Sequence, residues 1–555
     1  MTPTTSRPSW WQDLTAPTFT WSVPDRFNIA TACTDDQRRE DLALIVDTGI
    51  RIDRYTFGDL TALSRRFASA LTSTLGLTAG DRIGIMVPQG VEVLTAHLGG
   101  FRAGVVTVPL SVKFGSDAVA HRLADSGARV LVIDSESYSR VHAGLADLPS
   151  LHTVLVVGER AADGNARFDL QTFDEVVAAA DESRTAAITT AASPAIIIYT
   201  SGTTGPPKGA LHGHRILPAH MPGVRIAFDD APTPDDIFWT PADWAWIGGL
   251  FDVLFPALAM GRPVVACPDK FTATRALQIM AEHAVTASFV PPTALKQMRR
   301  DGVDAATAGR VRLRSLATGG EPLGEALRSW VQTIFGVAIN EFYGQTEMNM
   351  TIGTARSKWI APPGSMGRPF PGFTVALLDS LGEPQAVGQV GEICVRADNP
   401  GQFIEYWNRP EHTAEKRHGG WIHTGDLGTR DDDGNYFYQG RADDVISSAG
   451  YRIGPGEIEE TLLTHPAVAM AGVIGAPDEL RGEAVHAFVV LNNGIHGTDE
   501  LRTELQTYVK SRLAFYQYPR QITIVDELPL TATGKILRRE LRLRAEERAD
   551  PAIGT

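Results

Sequence analysis

From about residue 80 the apolar positions fall into short runs set apart by helical stretches. Arg82–Val87, Val105–Pro109, Ala128–Asp134 and Thr153–Val157 are rich in Val and Ile, which predicts strands. Val91–Ala103 has the length and composition of a helix between the first two. The alternation resumes at Pro263–Ala266, Ala287–Val290 and Leu313–Ala317. Strands alternating with helices predict mostly parallel sheets covered by helices. Between residues 360 and 440 the β runs shorten and Gly and Pro become frequent, which predicts a separate, more antiparallel subdomain. From 444 onward a helix (Gly456–Thr464), two strands (Val468–Ile474 and Val485–Leu491) and a helix near 499–513 predict a small α+β domain. The expected division is a large N-terminal α/β domain over 1–440, a hinge at 441–444 and a small mobile C-terminal domain over 445–555.

Three segments lack a clear period. The Ala/Thr-rich stretch 185–193 predicts a flexible connection. The Arg/Glu-rich last 20 residues predict a solvated helix. Trp10, Trp11, Phe19 and Trp21 are expected to pack onto the body.

Composition narrows the classes. A chain of 555 residues exceeds a single core and implies two or more domains. The hydrophobic share of 43% and charged share of 21% are ordinary for a globular protein. A net charge of −14 argues against nucleic acid as the partner. Cys33, Cys267 and Cys394 lie far apart, form no metal spacing and point to a reducing compartment. No apolar run reaches the length of a membrane span, and the start of the chain lacks a secretory core. The expected location is the cytoplasm.

The most informative chemistry follows the apolar run Ala195–Ile198. The segment from Tyr199 to Gly209 carries the hydroxyls of Thr200, Ser201, Thr203 and Thr204, the glycines Gly202, Gly205 and Gly209, and Lys208. Glycines bring backbone N–H groups close to an anion. Hydroxyls donate to phosphate oxygens and the lysine adds a point charge. Such a loop suits a polyphosphate, although polar turns after strands are also common. It is not a Walker A loop, because Pro206 and Pro207 intervene before the lysine and Gly209 follows it.

Further along, Gly319-Gly320-Glu321-Pro322 and Tyr343-Gly344-Gln345-Thr346-Glu347 both follow short strands, where open α/β sheets bind ligands. The first alone is a weak signal, more often a turn. The second offers an aromatic face, an amide, a hydroxyl and a carboxylate within five residues. Thr424-Gly425-Asp426 ends in an acid suited to ribose hydroxyls, although alone it reads more readily as a surface ion-pair site. Arg441 and Asp443, and Lys535 after Gly534, would each read alone as solvated charges.

Taken in order, these six segments resemble the signatures of the adenylate-forming enzymes: acyl- and aryl-CoA synthetases, peptide-synthetase adenylation domains and firefly luciferase. The resemblance covers about residues 30 to 545. It implies that Thr200, Ser201, Gly202, Thr203, Thr204, Gly205 and Lys208 hold the β- and γ-phosphates of ATP. Gly320, Glu321 and Pro322 would line the adenine, Tyr343 would stack on it, and Gly344 and Gln345 belong to the same site. Thr346 would contact the α-phosphate, Glu347 would help to place Mg²⁺, and Asp426 and Arg441 would bind the ribose. Asp443 matches the hinge and Lys535 the lysine needed for adenylation. CoA would meet the loop carrying Ser448, Gly450, Tyr451 and Arg452, and Lys510 and Arg512 are candidates for its 3′-phosphate.

The implied reaction joins a carboxylic acid to CoA through an acyl-adenylate. The stretch Asp243–Gly249 matches the acyl pocket of relatives, with Trp246 as a wall and Ile247 and Gly248 beside it. Gly319 and Gly344 stand where acetyl-CoA synthetases carry larger residues, which predicts a longer cavity and disfavours acetate. The ending Leu513–Arg520 resembles that of medium-chain acyl-CoA synthetases and benzoate-type ligases, so a medium-chain fatty or aromatic acid is expected. The alternative acceptor is a separate carrier protein. A luciferase-like oxygenase and a nucleotide sensor are disfavoured, the latter because Glu347 and Lys535 are present.

Overall fold

The computed structural model describes residues 10–549 apart from 12, 15–17, 160–166, 201–205, 360, 449–450, 479–480, 493, 515 and 532–534. Two large sheets form the N-terminal body. The first runs Glu405–Tyr406, Lys208–Gly213, Pro194–Thr200, Val106–Pro109, Arg82–Met86, Val130–Asp134, Thr153–Val157, Asp169–Thr172. Its last six strands are parallel and its first three pair antiparallel. The second runs Arg368–Pro369, Asn349–Gly353, Ile339–Gln345, Ser315–Gly319, Ala287–Phe289, Phe238–Trp239, Val264–Ala266, Leu42–Asp47, Ile52–Thr56. Its interior from Ile339–Gln345 to Leu42–Asp47 is parallel. This is the α/β architecture that the apolar spacing predicts.

The helix Val91–Ala103 shows why the body is tight. Residues on nearly all of its sides are buried, as expected of a helix without a polar face. Gly99 and Gly100 make that possible. A Cβ on Gly99 would lie 2.6 Å from the Phe67 ring, and one on Gly100 would lie 2.7 Å from Thr107. Their absence lets the helix approach its neighbours closely.

The predicted antiparallel subdomain is a five-stranded sheet of Val375–Leu378, Gly391–Arg396, Trp421–Arg430, Arg417–His418 and Tyr436–Arg441. The C-terminal sheet holds Tyr451–Ile453, Ile446–Ser448, Gly482–Leu491, Val468–Asp478 and Gln521–Ile524, with helices Pro455–Leu463 and Asp499–Lys510. Between the two domains, Gly324 and Glu325 approach Glu460, with the Glu325 N–H donating to its carboxylate at 3.3 Å.

Three expectations change. The stretch 185–193 is irregular but anchored rather than free. Ala187 N–H donates to the Arg102 carbonyl, the Thr189 hydroxyl to the Phe27 carbonyl, and the buried Asn28 amide to Thr189. The final helix, Arg538–Ala549, is not wholly solvated. Leu541 and Ala545 pack against Ile474, Phe488 and Leu528, while Arg538 pairs with Glu459 at 2.7 Å and with Asp444 at 3.4 Å. Residues 339–345 form a strand themselves, so Tyr343-Gly344-Gln345 closes that strand instead of following it. The aromatic N-terminal segment packs as expected: Trp10 lies edge-on to Phe27, and Trp21 Nε1–H donates to the Gly372 carbonyl. Among the described residues no helix is long and apolar enough to cross a membrane.

Candidate active site

Strand order brings distant motifs together. Ser315–Gly319 and Ile339–Gln345 lie side by side and in parallel, so Gly320 and Tyr343 reach the same end of the sheet. Gly320 sits at φ +90° with open space beside it, a conformation that favours glycine. Gly320 and Pro322 are exposed. Glu321 turns away to the helix Pro292–Arg300, where it accepts from Thr293 N–H at 2.9 Å and from Lys296 at 3.1 Å.

Asp426 is the centre of the polar site. Its carboxylate is 4% exposed and accepts from the Tyr343 hydroxyl and the Gln345 amide, each at 2.6 Å. Arg441 lies 3.5 Å from the other oxygen and donates to Asp443 at 2.9 Å. Arg441 and Asp426 are cross-strand partners in the antiparallel sheet, which explains their approach. Burial, together with the Asp426 carboxylate, pushes the Tyr343 phenol well above its ordinary range, so it remains a donor. Lys416 adds a second cation, donating to Gln345 at 2.8 Å and to the Thr424 carbonyl at 3.3 Å.

A second group adjoins this one. Glu347 is buried, and one of its oxygens accepts from the Tyr406 hydroxyl. Burial acts to raise the Glu347 carboxyl, but the Lys416 ammonium and the Tyr406 hydroxyl outweigh it and hold it below the usual carboxylate range. Lys208 stands with its ammonium 5.3 Å from the centre of the Tyr406 ring. Tyr406 therefore bridges the lysine of the Ser/Thr/Gly loop to Glu347. Thr346 is positioned through its carbonyl, which faces Nε2 of the buried His212 at 2.8 Å. Thr200 donates to the Lys208 carbonyl across the strand pair at 3.3 Å. Ser201, Gly202, Thr203, Thr204 and Gly205 lie outside the described residues.

Behind Gly425, Glu392, Cys394 and His423 come within 4.8 Å of one another through strand pairing. Glu392 accepts from Gly425 N–H at 2.8 Å and from the His423 ring at 2.9 Å, which braces the turn before Asp426.

The residues expected at the acyl pocket lie as follows. Trp246, Ile247 and Gly248 are half-buried at the start of a helix, with Trp246 edge-on to Phe114 at 5.8 Å. Gly319 and Gly344 are both closely packed at the Cβ position. A Cβ on Gly319 would meet the Phe342 ring at 2.7 Å, and one on Gly344 would meet the Asn349 carbonyl at 1.8 Å. At the Cβ positions themselves the space is taken by a neighbouring ring and by backbone.

The C-terminal candidates are dispersed. Lys535 is exposed, its backbone pairs with Thr531, and its ammonium has no ion-pair partner among the described residues. Ser448 is buried and pairs with Tyr451, which stacks on Tyr516 at 4.2 Å. Gly450 and the Arg452 side chain lie outside what is described. Lys510 lies over Tyr518 and Arg512 over Tyr508, so each cation has its own aromatic partner.

Sequence reasoning missed Tyr406, Lys416 and Glu392. The aromatic turn Tyr406-Trp407-Asn408, with Asn408 at φ +53°, was the available signal for the first. Nothing local marks Lys416 or Glu392.

Residues 31–407 match the AMP-binding enzyme family, and residues 457–535 match the AMP-binding enzyme C-terminal domain. The chain is 34% identical over 496 residues to the mitochondrial acyl-coenzyme A synthetase ACSM3 of Rattus norvegicus, covering 88% of this chain and 84% of that one. It is 33% identical over 509 residues to the acetyl-coenzyme A synthetase of Bacillus subtilis, covering 91% and 87%. The solved benzoate CoA ligase of Burkholderia xenovorans superposes with a TM-score of 0.81 at 29% identity, covering 93% of this chain and all of that one. These matches place the chain in the AMP-binding enzyme family, as an AMP-forming acid–CoA ligase.

Proposed function

We propose that this site activates a medium-chain fatty or aromatic acid with ATP and then transfers the acyl group to CoA. The observation that carries the reading is the convergence of Tyr343, Gln345 and Arg441 on Asp426 beside the Lys208–Tyr406–Glu347 group. The first set suits a purine nucleoside. Tyr343 offers a ring held by its hydroxyl, and Asp426 and Arg441 suit ribose hydroxyls. The second set suits the phosphates. Lys208 and the loop before it take the β- and γ-phosphates, and Thr346 the α-phosphate.

Glu347 fits a Mg²⁺ ligand. It is held ionised, one oxygen is fixed by Tyr406, and the other has no side-chain partner among the described residues. Mg²⁺ bound there with the phosphates would neutralise the charge that collects on pyrophosphate.

Attack of a carboxylate on the α-phosphate joins two anions, so the protein's task is alignment and neutralisation. Lys535 supplies the missing cation by bridging carboxylate and α-phosphate. Asp443 is the pivot for the domain 445–555, whose turning withdraws Lys535 and brings in the loop around Gly450. Asp443 is well placed for this because its side chain pairs with Arg441 on the N-terminal side and Arg542 donates to its carbonyl from the C-terminal side. The thiol of CoA then attacks the acyl carbonyl and AMP leaves. Three free cysteines support a reducing compartment, and we place the enzyme in the cytoplasm.

The test is pyrophosphate and AMP release across acetate, butyrate, hexanoate, octanoate, decanoate and benzoate, with and without CoA. The expected result is a CoA-dependent maximum at about six to ten carbons or at benzoate, since each buried methylene contributes about 0.8 kcal/mol. A maximum at acetate overturns the acid class. Turnover that stalls after one equivalent of pyrophosphate despite CoA overturns CoA as acceptor.

A further inference from the structure

The segment that begins with Trp246 carries a carboxyl group the proposed reaction does not use. Ile247–Gly249 starts as an α-helix and continues as a π-turn over Leu250–Leu254. Such turns re-aim side chains and recur at functional sites. The π-turn contains Asp252, whose side chain leans back over the preceding turn. Its Oδ2 lies 3.4 Å from where a Cβ on Gly248 would sit, and Phe289 lies 3.2 Å from that same point. The missing side chain at Gly248 therefore lets the backbone of the half-buried Trp246–Gly248 stretch pack close to Oδ2 and the Phe289 ring.

Aromatic rings enclose the position. Phe289 stacks on Phe342 at 5.4 Å, and Phe342 precedes Tyr343 of the nucleotide group. Behind Asp252 lies His220, with Nε2 3.4 Å from Oδ1. His220 Nδ1 faces the Ile216 carbonyl at 3.2 Å and the Asn349 side-chain amide. Asn349 is the strand partner of Gln345, which puts this cluster one strand from Asp426's partners.

The cluster is incompletely satisfied. His220 Nε2 and Asn349 Oδ1 are buried without a hydrogen-bond partner. Asp252 keeps 8% of its side-chain surface accessible, and no hydrogen bond to its carboxyl is formed among the described residues. Burial pushes the Asp252 carboxyl well above its ordinary range and the His220 imidazole down to about 3, so both favour their neutral forms. A proton on Oδ1, turned toward Nε2, leaves Oδ2 on the Gly248 side as a free acceptor. Buried polar groups left unpaired are costly, and native proteins normally satisfy them.

We propose that Asp252, backed by His220 and Asn349, makes the far end of the acyl pocket a hydrogen-bonding site, and that the preferred acid carries a neutral donor, a hydroxyl or an un-ionised amine, remote from its carboxylate. This rests on the acyl-activating reading above and names its substrate class. A hydroxy- or amino-substituted aromatic acid carries such a donor remote from its carboxylate. A plain alkyl chain would bury the carboxyl group unpaired.

The test compares matched acids on the full-length enzyme: benzoate with 4-hydroxy- and 4-aminobenzoate, and hexanoate with 6-hydroxyhexanoate. CoA-dependent AMP formation is read as kcat/KM. The donor-bearing member of a pair should be favoured at least about 10-fold. Asp252→Leu should abolish or reverse that ratio, and Asp252→Asn, which keeps an acceptor oxygen, should retain much of it. Because the ratio is taken within one variant, loss of folded protein cancels. Good turnover in which the unsubstituted acid wins, or a ratio untouched by Asp252→Leu, overturns this inference and leaves the acyl-CoA reading standing. Absence of turnover with every acid overturns both.

Discussion

Asp426 and Asp252 are both buried carboxyls near the same sheet ends, but their surroundings differ. Asp426 accepts from a phenol and an amide and faces a guanidinium. Its group is assembled before any ligand arrives. Asp252 faces one imidazole at 3.4 Å, and its neighbours His220 and Asn349 each bury an unpaired atom. A saturated polar network holds shape, and a ligand meets groups already oriented. An unsaturated one is stabilised most by the molecule that completes it. On this comparison the Asp426 group, the proposed nucleotide end, is built for rigidity, and the Asp252 group, the proposed acyl end, for discrimination.

The largest expected effect tests whether the assembled end is complete. Among the described residues Lys535 is outside it and exposed. Lys535→Ala should slow adenylation by about 3–4 kcal/mol in barrier, by analogy with loss of a single oxyanion donor. Thioester formation from a supplied acyl-adenylate should be spared. Rapid-quench assays of the two half-reactions separate them, and equal loss in both would contradict a moving lysine.

Next comes Asp426→Asn, which takes the carboxylate from Tyr343, Gln345 and Arg441. Leaving these half-buried donors poorly paired should cost about 1–3 kcal/mol in kcat/KM for ATP. The ratio of donor-bearing to plain acids should stay fixed. If that ratio moves as much as it does in Asp252→Leu, the two ends are not separate.

Acid stability sharpens the comparison from the side of the buried imidazoles. Burial lowers His97, His212, His214 and His220 to about 3. The unfolded chain protonates them near pH 6.5, so below that pH it binds more protons than the folded chain. Stability is full above about pH 6.5 and falls as pH drops toward 3, by about 1.4 kcal/mol per pH unit for each such histidine. Urea midpoints between pH 7 and 5 should decline, and His220→Phe should flatten that decline by about one proton. An unchanged slope would mean that His220 is charged in the folded enzyme, paired with an ionised Asp252.

Tyr406→Phe has the smallest expected effect. It removes the hydroxyl from Glu347 but keeps the ring beside Lys208, so a loss of about 0.5–1.5 kcal/mol is expected. It should appear as a higher Mg²⁺ requirement in the adenylation assay.

Much of the molecule is legible along the chain. The strands at 82–86, 106–109, 130–134 and 153–157 follow from β-branched runs, because a strand buried on both faces must be apolar throughout. The helix at 91–103 and the antiparallel character of 375–441 also follow from local pattern. The site's principal motifs are legible through their resemblance, taken in order, to those of the adenylate-forming enzymes, since several of them read alone as turns or solvated charges.

Other features belonged to tertiary structure alone. Tyr343 and Asp426 lie 83 positions apart, and no periodicity relates them. The stretch 185–193 reads as free because its own residues are small and polar, but its anchors, Phe27 and Asn28, are distant in sequence. Gly319 and Gly344 read as open space because a glycine's lack of a side chain says nothing about what fills the gap. Here Phe342 and the Asn349 backbone fill it. Lys416 and Asp252 carry no local mark, since their roles come from the groups that surround them. Local pattern determines which backbone forms, because propensity and burial act over a few residues. Whether a carboxyl is saturated or waiting for a partner depends on contacts between distant segments, and those exist only once the chain has folded.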